Sequence, residues 1–574
     1  HALSIFGDHS DIYACRQTGA AILASGSVQE VMDLSPVAHL AAIIGRLPFL
    51  NFFDGFRTSH EMQKIHIWPY EDLRDMADLG AVSQFRENAL NPDHAKLMGS
   101  AQNPDIFFQA REASNIFYNA LPALVDTYME KINAKLGTNY GLFNYYGARN
   151  AEHLIIAMGS VCETIKETID YLTEHKSGIK AGLIEVHLYR PFSTSHLLAL
   201  LPDSVARITV LDRTKEPGAS GEPLYLDVIA ALKDSAYSQI PVFSGRYGLS
   251  SKDTDPSQIY AVFQNSLSGK KKHFTIGITD DVTHLSLPVM DSIHTVPSSA
   301  ICCKFWGLGG DGTVSANKNS IKIIGNHTDK YVQAYFDYDS KKSRGLTVSH
   351  LRFGDMPIRS AYLIRQADFV ACHNPTYLHK YNMVQEVKDG GTFLLNCYYK
   401  EEELDKYLPG QVKRYIAEHN IQLYVIDAIR IGKEIGLNNK ISTILQAAFF
   451  RLSNLIPIEE ARQLMKEAAA ISYRKKGEKI IQMNYDAIDR GIEDVLCITI
   501  PPEWKHAAYE PLDSKLLPDR AEVIDYVEKI QKPITMQEGN SLPVSAFLPY
   551  VDGSFPSGST AHERRNAATE VPVW

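Results

Sequence analysis

The chain has 574 residues, 45% of them hydrophobic and 22% charged, with a formal net charge of −9. At ~100–200 residues per domain it holds about three to five domains, and this composition excludes a disordered or collagen-like chain. No apolar run approaches the ~18 residues of a membrane span, and the acidic balance speaks against a dedicated nucleic-acid binder, which would be basic over at least one domain.

The chain opens His1-Ala2-Leu3-Ser4-Ile5-Phe6 with no methionine, basic leader or cleavage motif, as though a strand had been cut into. It stops on Val571-Pro572-Val573-Trp574 without a cap or polar tail, and so reads as an internal piece of a longer polypeptide. Residues 20–24 are an apolar run, followed by Ser25-Gly26-Ser27, a helix-like stretch over 28–44 and a compact strand over 47–55. Strands alternating with helices indicate an α/β layer with a parallel sheet. Residues 71–135 read as mostly helical and polar.

A second α/β block of roughly 150 residues starts near Gly141. Its expected strands are 154–158, 182–188 and 208–211, with a helix over 162–172 and a loop-rich close over 245–298. A third block repeats the rhythm: a strand over 300–306, a glycine loop, a helix over 313–324, and strands at 369–372, 391–395 and 423–426. Helices are expected over 439–455 and 458–472, and after Pro501-Pro502 the composition predicts an extended connector.

Cys15, Cys162, Cys302, Cys303, Cys372, Cys397 and Cys497 are odd in number and scattered, with no CxxC. A disulfide framework, or a metal or iron–sulfur site built from this chain alone, is therefore not expected, and a reducing cytoplasm suits the pattern.

The strongest local motif is Gly307-Leu308-Gly309-Gly310-Asp311-Gly312, which fits G-x-G-x-x-G, follows an apolar strand and opens a helix. Such a turn brings backbone N–H groups and a helix N-terminus to a phosphate, or is simply a tight turn. No acidic strand end follows about 20 residues on, as a dinucleotide ribose would need. Lys341 and Lys342 follow instead, better suited to a free phosphate. Asn438-Asn439-Lys440 is expected at a helix start, where Asn caps, and residues 474–479 read as a solvated basic face. Asp54 and Arg57 sit at an apparent strand end, where ligands bind in open sheets, or form a structural ion pair with each other. Residues 211–218, LDRTKEPG, are charge-dense and expected to pack one domain on another.

Taken together, nine segments resemble the pyruvate:ferredoxin (flavodoxin) oxidoreductases: 2–9 (ALSIFGDH), 52–64 (FFDGFRTSHEMQK), 101–105 (AQNPD), 188–192 (LYRPF), 211–218, 273–282, 305–313 (FWGLGGDGT), 349–354 (SHLRFG) and 542–547 (LPVSAF). The resemblance implies a cytoplasmic enzyme, a homodimer when full length. Such an enzyme converts pyruvate and coenzyme A to acetyl-coenzyme A and CO2 on thiamine diphosphate and Mg²⁺, and passes electrons through [4Fe–4S] clusters to ferredoxin or flavodoxin. It implies an α/β chain of successive open parallel-sheet domains. These are a partial thiamine-fold domain over 1–140, a transketolase C-terminal-like domain over 141–298, a Rossmann-like coenzyme A domain over 299–509 and a linker over 510–574. It carries coenzyme A binding onto Gly307, Leu308, Gly309, Gly310, Asp311, Lys341, Lys342, Asn438, Asn439 and Asn484, and places Ile5 in the pyruvate pocket. No catalytic residue or metal ligand is expected within the chain, so alone it is expected to be inactive. Two alternatives are a related 2-oxoglutarate or indolepyruvate enzyme, and a coenzyme A-binding scaffold subunit without redox activity.

Overall fold

The computed structural model describes residues 4–340, 345–510 and 516–563. In the first block, β1 (Ala21–Ser25) pairs in parallel with β2 (Phe49–Phe53). Its AILAS sequence is apolar throughout and buried at every position, as a strand covered on both faces requires. Ser27 starts the following helix, Val28–Gly45, by accepting the Glu30 N–H at 3.2 Å. Helix Asn115–Leu136 packs against it through Leu121, Val125 and Met129. A short β3 (Glu61–Gln63) then leaves this block altogether.

The second block is a six-stranded sheet. Its strands are β4 (Phe143–Gly147), β5 (His153–Ala157), β6 (Ala181–Val186), β8 (Arg207–Asp212), β9 (Val242–Arg246) and β10 (His273–Thr275), in the order β10-β9-β8-β5-β6-β4. Only β4, antiparallel to β6, departs from parallel pairing. One residue after β6 the chain starts β7 (Leu188–Arg190), which pairs antiparallel with β1 of the first block. A single hydrophobic core runs through both blocks, from Leu23 and Val37 to Ile156 and Val210.

The third block is an eight-stranded sheet. Its own strands are β11 (Ile301–Leu308), β12 (Tyr331–Tyr338), β13 (Leu346–Gly354), β14 (Ala367–Cys372), β15 (Val387–Asn396), β16 (Gln422–Ile426) and β17 (Leu496–Cys497), in the order β17-β16-β15-β14-β11-β13-β12-β3. β16, β15, β14 and β11 are parallel. β13, β12, β17 and the borrowed β3 are antiparallel to their neighbours.

These pairings correct the expectation of purely parallel sheets: all three are mixed. β12 and β13 are joined by a connection too short for a parallel crossover, so they form a hairpin. Residues 245–298 are not loop throughout. Asp255 accepts the Gln258 N–H at 3.0 Å and Pro256 sits in the first turn, so a helix runs Pro256–Ser268. The connector is not extended either. Within 516–563 a helical stretch runs from Ala521 to Thr535, followed by single turns.

Candidate functional site

The parallel strands of the third sheet bring their carboxyl ends to one edge, the place where open α/β sheets hold ligands. β11 ends in the glycine turn, which opens helix Thr313–His327. Gly310 and Gly312 have φ of 90° and 92°, in the left-handed region. A Cβ on Gly312 would lie 2.8 Å from Ser442 Oγ, so the turn and the start of helix Ser442–Ser453 touch.

Asp311 organises the turn. Its carboxylate accepts the N–H of Leu308 at 2.8 Å and of Thr313 at 2.7 Å, and Gly309 N–H donates to Gly345 O at 2.7 Å. Three turn amides are thus engaged within the protein. His373, just past β14, shares a 2.7 Å hydrogen bond with Thr313 Oγ1. Burial pushes its imidazole down to about 4, against the pull of Asp311.

The other expected coenzyme A segments gather at the same edge. The hairpin carrying Lys341 and Lys342 meets the turn through the Gly309–Gly345 bond; the two lysines lie outside the described residues. Asn438 and Asn439 are exposed in the loop that leads to Ser442. Asn438 does not start a helix, as expected, but closes the previous one. Its φ is 53° and its N–H donates to Gly432 O at 2.9 Å, in helix Ala428–Glu434. Asn484 is buried; Thr443 Oγ1 donates to its Oδ1 at 3.2 Å and its Nδ2 donates to Ile480 O at 2.8 Å, so it packs two helices together. Ile5 is 60% exposed.

A second group of expected residues forms a buried junction between the first and second blocks. Asp54 and Arg57 are not paired with each other. Asp54 meets His9 Nε2 at 2.7 Å and Arg213 at 3.3 Å, and accepts Ser160 N–H at 3.0 Å and Oγ–H at 2.6 Å. Burial pushes its pKa up, but Arg213 and His9 outweigh that and hold it well below the usual carboxylate range. Arg57 instead reaches Asp253 at 3.1 Å and Ser251 O at 2.8 Å. Asp212 accepts the Tyr13 hydroxyl at 2.7 Å. The charge-dense 211–218 segment does bind one block to another.

Two features escaped sequence reasoning. Glu30, Glu163, Glu185, Lys166 and His187 form a charge cluster between the same two blocks. Lys166 Nζ is 2.7 Å from Glu163, 2.8 Å from Glu185 and 3.9 Å from Glu30. Its members come from three distant segments, so no spacing rule could find it. The other is a cavity of ≈ 1010 Å³ against the sheet face that carries Lys304, Trp306, Val348 and His350, reached by Gln537 and Asn540 of the C-terminal segment.

Comparison with known proteins supplies the context. The profile described as "Pyruvate ferredoxin/flavodoxin oxidoreductase" matches residues 302–494, and the thiamine diphosphate-binding profile of the same oxidoreductases matches 1–130. "Pyruvate:ferredoxin oxidoreductase core domain II" matches 151–259, and a domain of unknown function matches 514–568. The chain is 54% identical to the pyruvate-flavodoxin oxidoreductase of Enterobacter agglomerans, over 100% of this chain and 48% of that protein. It is 52% identical to the pyruvate:ferredoxin oxidoreductase of Moorella thermoacetica, again over 100% of this chain and 48% of the relative. The probable pyruvate-flavodoxin oxidoreductase of Escherichia coli is 46% identical, with 100% of this chain and 49% of that protein covered. The chain spans about half the length of the curated relatives it matches. Among the described residues no helix is long and apolar enough to cross a membrane.

Proposed function

The chain belongs to the pyruvate ferredoxin/flavodoxin oxidoreductases, and from that premise we propose that it supplies the coenzyme A-binding part of an enzyme of this activity. That enzyme converts pyruvate and coenzyme A to acetyl-coenzyme A and CO2, with electrons passing to ferredoxin or flavodoxin. In this reading residues 1–140 are part of a thiamine-fold domain, with Ile5 in the wall of the pyruvate pocket. Residues 141–298 are the transketolase C-terminal-like domain, 299–509 the Rossmann-like coenzyme A domain, and 510–574 the linker toward an iron–sulfur domain.

What supports the reading is that the glycine turn meets Gly345, at the start of the approach to β13, and Ser442, at the start of the helix that follows the Asn438–Asn439 loop. Because Asp311 and Gly345 already engage three turn amides, the phosphate contacts fall to Lys341, Lys342 and the exposed Asn438–Asn439 loop. Asn484 holds together the two helices behind that loop. Thiamine diphosphate would supply the carbanion chemistry. Iron–sulfur clusters need cysteine thiolates. The one trio of His, Cys, Asp or Glu donors within ligand distance among the described residues is Glu30, Glu185 and His187. That set has no cysteine and does not fit a cluster.

Calorimetry on the whole chain tests the site. Coenzyme A should bind, and Lys341→Ala with Lys342→Ala should cost about one to two decades in affinity, the scale of a lost charge-assisted contact. Dephospho-coenzyme A should bind wild type weakly and be nearly indifferent to the substitutions. A well-folded chain that binds no coenzyme A would overturn the assignment. Equal losses for both ligands would deny the lysines the 3′-phosphate.

A further inference from the structure

We propose that Glu30, Glu185 and His187 hold a first-row divalent cation, of the Mn²⁺ or Zn²⁺ class, that staples the first block to the second. The site stands on its own observations, independent of the coenzyme A reading above.

Glu30 lies in the first turn of helix Val28–Gly45 of the first block. Glu185 is in β6 of the second, and His187 follows just past its end, where the chain crosses over to pair β7 with β1. One donor atom of each lies within 4.8 Å of the other two, and all three residues are buried, Glu185 and His187 at 2% and 1% exposure. Bonds from a metal to imidazole nitrogen or carboxylate oxygen are about 2.0–2.2 Å, so donors on one ion stand up to ~4.4 Å apart, and shifts of a few tenths of an ångström close this trio on an ion.

The donors are held in place with lone pairs to spare. His187 Nδ1 is 3.0 Å from Ala24 O; a carbonyl only accepts, so the proton is on Nδ1 and Nε2 carries the lone pair. A backbone carbonyl in that position is the usual partner that orients a metal-bound imidazole. Lys166 takes Oε2 of Glu185 at 2.8 Å, while Oε1 is buried with no hydrogen-bond partner among the described residues. A buried acceptor in that state asks for an occupant. Glu30 Oε2 accepts the Gly26 N–H at 2.5 Å. Gly26 itself clears the space: a Cβ there would stand 2.8 Å from Glu185 Oε1 and 3.3 Å from Glu30 Oε2. The two carboxylates therefore face one small gap that the missing side chain leaves open.

Charge points the same way. Glu30, Glu163 and Glu185 bring three carboxylates against the one ammonium of Lys166, so the ionised cluster carries two uncompensated negative charges. Buried charge persists only where it is paired or bound to a metal, and a divalent ion makes this cluster neutral. The donor set narrows the choice. Mg²⁺ and Ca²⁺ take oxygen ligands, whereas an imidazole beside two carboxylates suits the first-row transition ions and Zn²⁺. The ion would tie helix Val28–Gly45 to the crossing between the two sheets, beside the β1–β7 ladder, so its role is to fix one block on the other.

The whole chain, stripped with EDTA and titrated with MnCl2 while the EPR signal of the free ion is followed, tests the site. Wild type should take up one equivalent of Mn²⁺, and its Tm should rise with the metal concentration. ZnCl2 should displace the Mn²⁺, as the usual affinity order requires, and an equal amount of MgCl2 should not. Glu30→Gln removes one ligand charge but keeps the side chain's shape and an acceptor for Gly26. Gly26→Ala keeps all three donors and fills the gap between them. Each should weaken Mn²⁺ by about tenfold or more, since loss of even an outer-shell partner costs that much, with circular dichroism showing both variants folded. A folded wild-type chain that takes up neither Mn²⁺ nor Zn²⁺ would overturn the proposal and leave the cluster an ion-pair network. Binding as tight as wild type in both variants would overturn it as well, placing the ion elsewhere on the chain.

Discussion

Asp311 stands at the head of helix Thr313–His327, where a bound anion would otherwise sit. Phosphate binding there, by sequence alone, is the natural reading of a glycine turn before a helix. What the motif does not show is that its own carboxylate fills the role. Asp311→Ala leaves the Leu308 and Thr313 amides without an acceptor and should cost about 1–2 kcal/mol in urea unfolding, the scale of a lost helix cap. Asp311→Asn keeps an acceptor and should cost less, while removing a negative charge from the ligand's edge. Coenzyme A affinity should then rise by about twofold, the worth of one solvent-screened charge pair. A fall in affinity for Asp311→Asn would mean that the carboxylate serves the ligand directly.

Glu30 offers a pH test at the same scale. Burial, with Glu185 close by, pushes its carboxyl up to about 7 from 4.5. A carboxyl raised on folding holds its proton more tightly in the folded chain. The stabilisation is therefore full below 4.5 and lost as pH rises through about 7. At 1.36 kcal/mol per unit this is about 3 kcal/mol at most. Glu61 is raised in the same range, by burial, so wild type carries both slopes. Glu30→Gln should remove its own share: nearly equal to wild type at low pH, more stable than wild type above neutrality. Urea melts across that range, with parallel curves for the two proteins, would refute the assignment.

At the scale of elements, the local signals served well where local physics decides. The apolar run of β1, the Ser27 cap and the strand–turn–helix of β11 all announce themselves within a few residues. What stayed hidden depends on partners far along the chain. β3 is three residues long and becomes a strand only because Gln333 and Tyr335 of β12 receive it, through the Gln333 amide at 2.7 Å and the Tyr335 hydroxyl at 2.8 Å to Glu61. Likewise Asn484 carries no motif; its place between two helices follows from the packing alone. The severed-domain expectation predicts early proteolysis throughout 1–140. The strand exchanges limit this. Residues 89–103 are exposed and mostly irregular, with Leu97 at 102% relative exposure. Limited trypsin or thermolysin digestion followed by mass spectrometry should cut there first, with 21–63 persisting alongside the third block. Early cuts within β1 or β3 would contradict the interleaving.

At the scale of the whole molecule, the trio of His, Cys, Asp or Glu donors within ligand distance among the described residues, Glu30, Glu185 and His187, contains no cysteine. The pure chain, given pyruvate, thiamine diphosphate, Mg²⁺ and coenzyme A, should not reduce methyl viologen above background. Measurable turnover would show that the missing chemistry lies here after all. The three blocks, for their part, are interlaced by β7 reaching back to β1 and by β3 reaching forward to β12. To rotate one block against the next would tear backbone ladders as well as side-chain contacts. Those ladders make the three blocks one frame, so a displacement of any block is passed to the others through the backbone itself.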